Sequence, residues 1–203
     1  MFLVPRWADR NLSRLELVSA WVLILILIGT FSRHMFVVFA RAEQSMVERT
    51  ATNLQTALKY RAGLAGMRGH YETIRQMANE NPIKEIQSFH LDDLIAEAGG
   101  PKEGHVSSIP SLTIPSNYGG EVDDVELKKA KKGYWYYNTI KGTLVYIIRN
   151  NEFFVSDLQG PPRIIYRITI DYTDRNGNGE YDPGIDIYHS IGLTHVNAYK
   201  WID

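Results

Sequence analysis

"LELVSAWVLILILIGTF" occupies residues 15–31, and its reading decides what the remaining chain can be. Apart from Glu16, Ser19, Gly29 and Thr30 the run is apolar. As an α-helix rising 1.5 Å per residue it is roughly 25 Å long, close to the ~30 Å hydrocarbon core of a bilayer. Its centre, "WVLILILIG", is apolar on every face, and too little of the 203-residue chain remains to wrap such a helix in a soluble core. A cleaved signal peptide has a shorter apolar region ending in small residues, whereas this run continues into Thr-Phe-Ser-Arg-His-Met-Phe. Membrane insertion is therefore the leading reading. Trp7 and Trp21 are candidate interfacial anchors. Arg6, Arg10 and Arg14 (with Asp9) precede the span; Arg33, Arg41 and Arg49 (with Glu43 and Glu48) follow it. The positive-inside balance is nearly a tie, so the simplest topology keeps the short tail in the cytoplasm and exports the rest.

The helical pattern does not stop at the span. "VVFARAEQSMVERTATNLQTALKYRAGLAGM", residues 37–67, has no proline. Val38, Ala42, Met46, Ala51, Leu54 and Leu58 fall near one stripe. One helix over residues 12–65 is expected, lipid-soluble in its first half and amphipathic in its second, behind a tail of residues 1–11.

"LELVSAWVLILILIG" resembles the N-terminal helix of type IV pilins and of the pseudopilins of type II secretion systems. The hairpin-like stretch "GYWYYNTIKGTLVYIIRN" is similar to the tryptophan-containing hairpin of pseudopilin and minor-pilin domains. The resemblance implies an α+β fold in which the amphipathic half of the helix packs on a C-terminal antiparallel sheet. It implies partners among other pilin-like subunits or inner-membrane assembly proteins. It also gives Glu16 a role, matching the family's glutamate that meets the free amine of a neighbour's first residue. The chain departs from the family in one respect: no glycine precedes Glu16, so the processing signal is missing. That departure suggests an accessory, minor-pilin-like protein that keeps its N-terminus. Accessory membrane proteins of mannose-sensitive haemagglutinin-type pili are one such class. Apart from the family, a carboxylate at the membrane edge is costly unless paired or snorkelling. Arg14 is too near in sequence to face Glu16, so a partner chain is the better source of a cation. The plain alternative is an acid lying at headgroup level in water.

Residues 66–132 read as short helices and loop. Gly63, Gly66 and Gly69 weaken the helix end. "HYETIRQMANENP" and residues 82–98 read as two helices, the second with Pro82 in its first turn and Gly99 as its stop. His90, Asp92 and Asp93 are expected on a solvated face. Residues 99–132 are rich in Gly, Pro and Ser and then in charge, which reads as loop, with "KKAKK" as exposed linker.

Residues 133–203 read as the sheet domain. "YWYYN" and "TLVYIIRN" are β-rich runs joined by "TIKG". "EFFVSDL", "RIIYRITIDYTD" and "DIYHSIGLTHVNAYKWI" supply the rest. Four or five antiparallel strands are expected, one face on the helix and the other toward solvent or neighbours. Trp135, Tyr136, Tyr137 and Trp201 are expected in core and cross-strand packing.

"DYTDRNGNGEYDPGID", residues 171–186, is the most chemically specific stretch. Asp174, Asn176 and Asn178 alternate before Gly179, and Glu180, Asp182 and Asp186 follow. Alternating oxygen side chains and a glycine can curl around a hard cation, so structural Ca2+ is one reading. The pattern covers the first half of an EF-hand-type loop, but Ile185 stands where a bidentate glutamate belongs. The other reading is a plain β-turn built on the two Asn-Gly steps.

The totals exclude several classes. Cysteine is absent, which removes a disulfide framework, a thiol nucleophile and thiolate metal sites. A net charge of -1 makes no case for nucleic acid. The chain carries no HExxH, Gly-x-Ser-x-Gly, Walker A or dinucleotide fingerprint. The six histidines form no ligand-spaced set. The expectation is a non-enzyme of the bacterial inner membrane with no evident small-molecule substrate, its C-terminal domain periplasmic or extracellular in a filament. The alternative is a membrane-tethered, calcium-stabilised periplasmic binding domain outside any filament.

Overall fold

The computed structural model describes residues 14–87 and 115–202. The tail 1–11, the part of the second short helix after residue 87 (with His90, Asp92 and Asp93) and the loop up to residue 114 lie outside the described residues. The chain divides into two compact units, Met1–Arg41 and Ala42–Asp203.

In the first unit the apolar run is helical. It opens α1, Arg14–Met67, 54 residues without a break. Leu17, Val18 and residues 21–28 are all exposed, as a lipid-facing helix requires. Its hydroxyls need no outside partner. Ser19 Oγ donates to the Glu16 carbonyl at 2.9 Å, and Thr30 Oγ1 reaches the carbonyls of Ile26 and Leu27 at 3.0 Å. Hydroxyls turned back on the helix are tolerated in hydrocarbon, where an unsatisfied polar group costs several kcal/mol. Among the described residues this is the one helix long and apolar enough to cross a membrane.

The second unit is α+β. Its part of α1 buries Val47, Leu54, Ala57, Leu58, Ala62 and Ala65. The expected stripe holds from Leu54 onward, but Ala42 and Met46 are exposed and Glu43 and Val47 take the inner positions. The helix also runs past Gly63 and Gly66 and stops at Gly69. There the His70 N–H donates to the Ala65 carbonyl (2.8 Å) and the Gly69 N–H to that of Gly66 (3.1 Å). This pair of bonds needs a left-handed residue after the last turn, and Gly69 supplies it with φ 73°. Helices α2 (Tyr71–Met77) and α3 (Pro82–Gln87) follow.

The strands are β1 (Tyr118–Val122), β2 (Trp135–Asn138), β3 (Thr143–Ile147), β4 (Phe154–Ser156), β5 (Arg163–Thr173), β6 (Ile187–His195) and β7 (Tyr199–Trp201). A short helix, α4 (Asp124–Leu127), lies between β1 and β2. The main sheet has the order β1-β2-β3-β5-β6, and β4 pairs with β7 separately. Every pairing is antiparallel except β1 with β2, which is parallel. The sheet is therefore mixed at one edge, because the chain reaches β2 from β1 through the α4 crossover rather than a hairpin. Tyr118–Val122 and Asp124–Leu127 fall in the stretch read as loop from its glycines and charges; neighbouring strands and an apolar face order it.

Alternation sorts the two faces. Leu144, Tyr146, Ile148, Ile164, Tyr166 and Ile168 join α1 in the main core. Trp135 is fully buried there, its ring 5.0 Å from Tyr146 and 5.7 Å from Tyr166. On the opposite face Tyr136, Val145 and Ile147 pack with Val122, Leu127, Ala130 and Tyr134. β2 and β3 are thus buried on both faces, so the far face is covered over these two strands.

Candidate functional site

Glu16 lies in the first turn of α1 and is exposed. A negative charge there is favoured by the positive end of the helix dipole. The exposed apolar side chains of Leu17 and Val18 follow it along the helix.

The acidic residues lie together in the loop 174–186, which joins β5 to β6 where Thr173 pairs with Ile187. It is not a tight two-residue hairpin. Gly177, Gly179 and Gly184 all take positive φ, which lets the chain coil. Asp174, its first residue, accepts the N–H of Gly177 at 2.6 Å and of Gly179 at 2.9 Å. Those two amides, Gly179 first, hold its carboxyl below the usual aspartate value. Asn176 Oδ1 accepts the Asn178 N–H (3.1 Å), and Asn178 Oδ1 accepts the Glu180 N–H (2.8 Å). Both amide groups donate to Asp182 Oδ2, at 2.7 and 2.6 Å. Asp186 accepts from the N–H groups of Arg175 (2.9 Å) and Asp182 (2.7 Å). The Glu180 side chain is exposed. Among the described residues no group of three or more Asp, Glu, His or Cys side chains is placed to hold a metal ion by itself, so Asn or backbone oxygens would have to complete any site here. The loop is closed by its own hydrogen bonds. Beneath it Tyr181 is buried, its ring 5.5 Å from Tyr172 and 6.2 Å from Tyr188.

The residue that sequence reading passed over is Glu43. It is buried on the inner side of α1 and accepts four hydrogen bonds. Tyr146 Oη (2.9 Å) and the Arg149 N–H (2.7 Å) donate to Oε1. The Asn150 N–H (2.9 Å) and Nδ2 (2.7 Å) donate to Oε2. Burial and the Glu43 charge push the Tyr146 phenol up, so it stays a donor. The carboxylate pins α1 to the end of β3. Nothing local marks it, since its donors are distant in sequence.

No family model, curated protein or solved structure matches the chain.

Proposed function

We propose that this chain is a single-pass, pilin-like protein of the bacterial inner membrane, non-enzymatic, serving the assembly or structure of a type IV pilus or type II secretion-type machine. Its C-terminal domain lies in the periplasm or, in a filament, outside the cell. One observation carries the reading: a single unbroken helix is exposed and apolar over its first half and supplies the core of an α+β domain over its second. A plain anchor needs no such continuity, since a flexible linker would tether the domain equally well. The reading gives Glu16 the task of pairing with a cation on a neighbouring subunit or assembly protein. Glu16→Ala is expected to abolish incorporation or partner co-purification while leaving membrane insertion intact. Unchanged assembly overturns the proposal.

Calcium is a separate proposal, as a structural ion of the loop 174–186. The order Asp174, Asn176, Asn178, Gly179 supports it, and an oxygen that accepts one N–H keeps a second lone pair for a cation. Glu180, Asp182 and Asp186 are the remaining candidate ligands. Adding Ca2+ is expected to raise the melting temperature and chelator to reverse the rise, with Asp174→Ala insensitive to both. Identical melting with Ca2+ and with chelator overturns that proposal. The second reading, a tethered binding domain outside any filament, draws on the same loop. Purification in gentle detergent separates the two, since co-purifying pilin-like subunits favour the first and a lone monomer the second.

A further inference from the structure

The face of the sheet turned away from α1 is not closed over its whole area. Between α4, the end of β2, β3, the start of β5 and the turn before it lies a cavity of about 600 Å³. That is within the range of small-molecule sites, roughly 300–1,000 Å³. Leu127, Pro161 and Ile165 give it partly exposed apolar surface, and Val145 and Ile147, themselves buried, complete the lining. Its rim is cationic. Lys128, Lys141 and Arg163 stand around the mouth with a single carboxylate, Asp124. Asp124 is already engaged: Lys141 Nζ lies 3.0 Å from it and Asn138 Nδ2 donates to it at 2.6 Å. Arg163 is held in place as Nη1 donates to the carbonyls of Gln159 (3.1 Å) and Pro161 (2.9 Å). Three cations therefore face one acid, which Lys141 contacts directly and Lys128 also stabilises, so the mouth keeps a net positive charge beside apolar surface.

We propose that this cavity binds a small amphiphilic anion, an apolar body carrying one carboxylate. The body fills the space against Leu127, Pro161 and Ile165, and the carboxylate lies at the rim between Lys128 and Arg163. An apolar ligand without charge leaves the rim unused, and a small inorganic anion leaves the apolar surface uncovered, so the combination selects the class. Nothing in the inference rests on the pilus reading, because every residue in it belongs to the sheet domain.

The test uses the full chain in detergent micelles, titrated calorimetrically with 1-naphthaleneacetate against matched empty micelles. Saturable one-to-one binding is expected, weakened about threefold or more by Lys128→Glu, which reverses an exposed charge. The neutral analogue, a naphthaleneethanol, is expected to bind more weakly by a similar factor. The proposal is overturned by no saturable binding into the millimolar range. It is equally overturned if the alcohol binds as tightly as the acid, which describes apolar partition alone, or if Lys128→Glu changes nothing, which takes the carboxylate away from this rim.

Discussion

Glu43 shows how much one side chain contributes in this protein. A buried carboxylate is tolerated only when hydrogen bonds replace its hydration, and here four donors do so. Glu43→Ala leaves the N–H groups of Arg149 and Asn150, the Asn150 amide and the Tyr146 hydroxyl facing a void. A loss of about 3 kcal/mol or more is expected in urea unfolding. Glu43→Gln keeps an acceptor for Tyr146 and Arg149 but turns an amide N–H2 toward the Asn150 donors, and is expected to cost about 1–3 kcal/mol. Equal stability of both variants and the parent contradicts the role. Two acids in one helix thus have opposite legibility. Glu16 stands out in the sequence because its neighbours are apolar. Glu43 resembles any surface glutamate among Arg41, Gln44 and Glu48, because its donors lie more than a hundred residues away.

Among the elements, the β2–β3 hairpin was plain from the sequence. Two β-rich runs flank "TIKG", and the observed pairing runs from Asn138↔Thr143 outward to Trp135↔Tyr146. β1 and α4 were hidden. Tyr118–Val122 contains two glycines, and glycine in a strand argues against one on local grounds. Gly119 is explained by the neighbour it meets: a Cβ there would lie 2.2 Å from the ring of Tyr136. Tyr136 cannot yield freely, since its hydroxyl accepts the Lys131 N–H at 3.0 Å and its ring packs on Val145. Gly119→Ala is expected to destabilise the domain by about 1–3 kcal/mol, read as a lower denaturation midpoint at unchanged m-value. A neutral result shows that the β1 edge is loose enough to shift. The acidic loop was legible as a loop with alternating oxygens. Its breadth was not, because Asn-Gly signals a tight turn equally well until the register of β5 and β6 is known.

At the scale of the whole molecule, the sheet domain carries its own core. The main cluster begins at Val47 and includes no residue of the apolar run. A chain beginning at residue 32 keeps the helical turns that precede Glu43 and is expected to be soluble without detergent. Its near-ultraviolet circular dichroism, dominated by the buried Trp135, Tyr146 and Tyr166, should match that of the full protein. A flat near-ultraviolet spectrum with retained helix signal shows instead that the domain needs its membrane half to pack.

Neighbours along the chain suffice for part of this structure. The apolar run, the unbroken helix, the C-terminal hairpin and the alternating strands follow from hydropathy and period, which are local properties. Tertiary structure decided what depends on distant partners. It chose Glu43 and Val47 over Ala42 and Met46 as the inner face of α1, because the donors at Tyr146, Arg149 and Asn150 meet that side. It turned a charged, glycine-bearing stretch into β1 and α4, because β2 offered a free edge and Val145 and Ile147 an apolar face. It also left open, beside that cover, a cavity ringed by Lys128, Lys141 and Arg163, three cations that only the fold brings to one mouth.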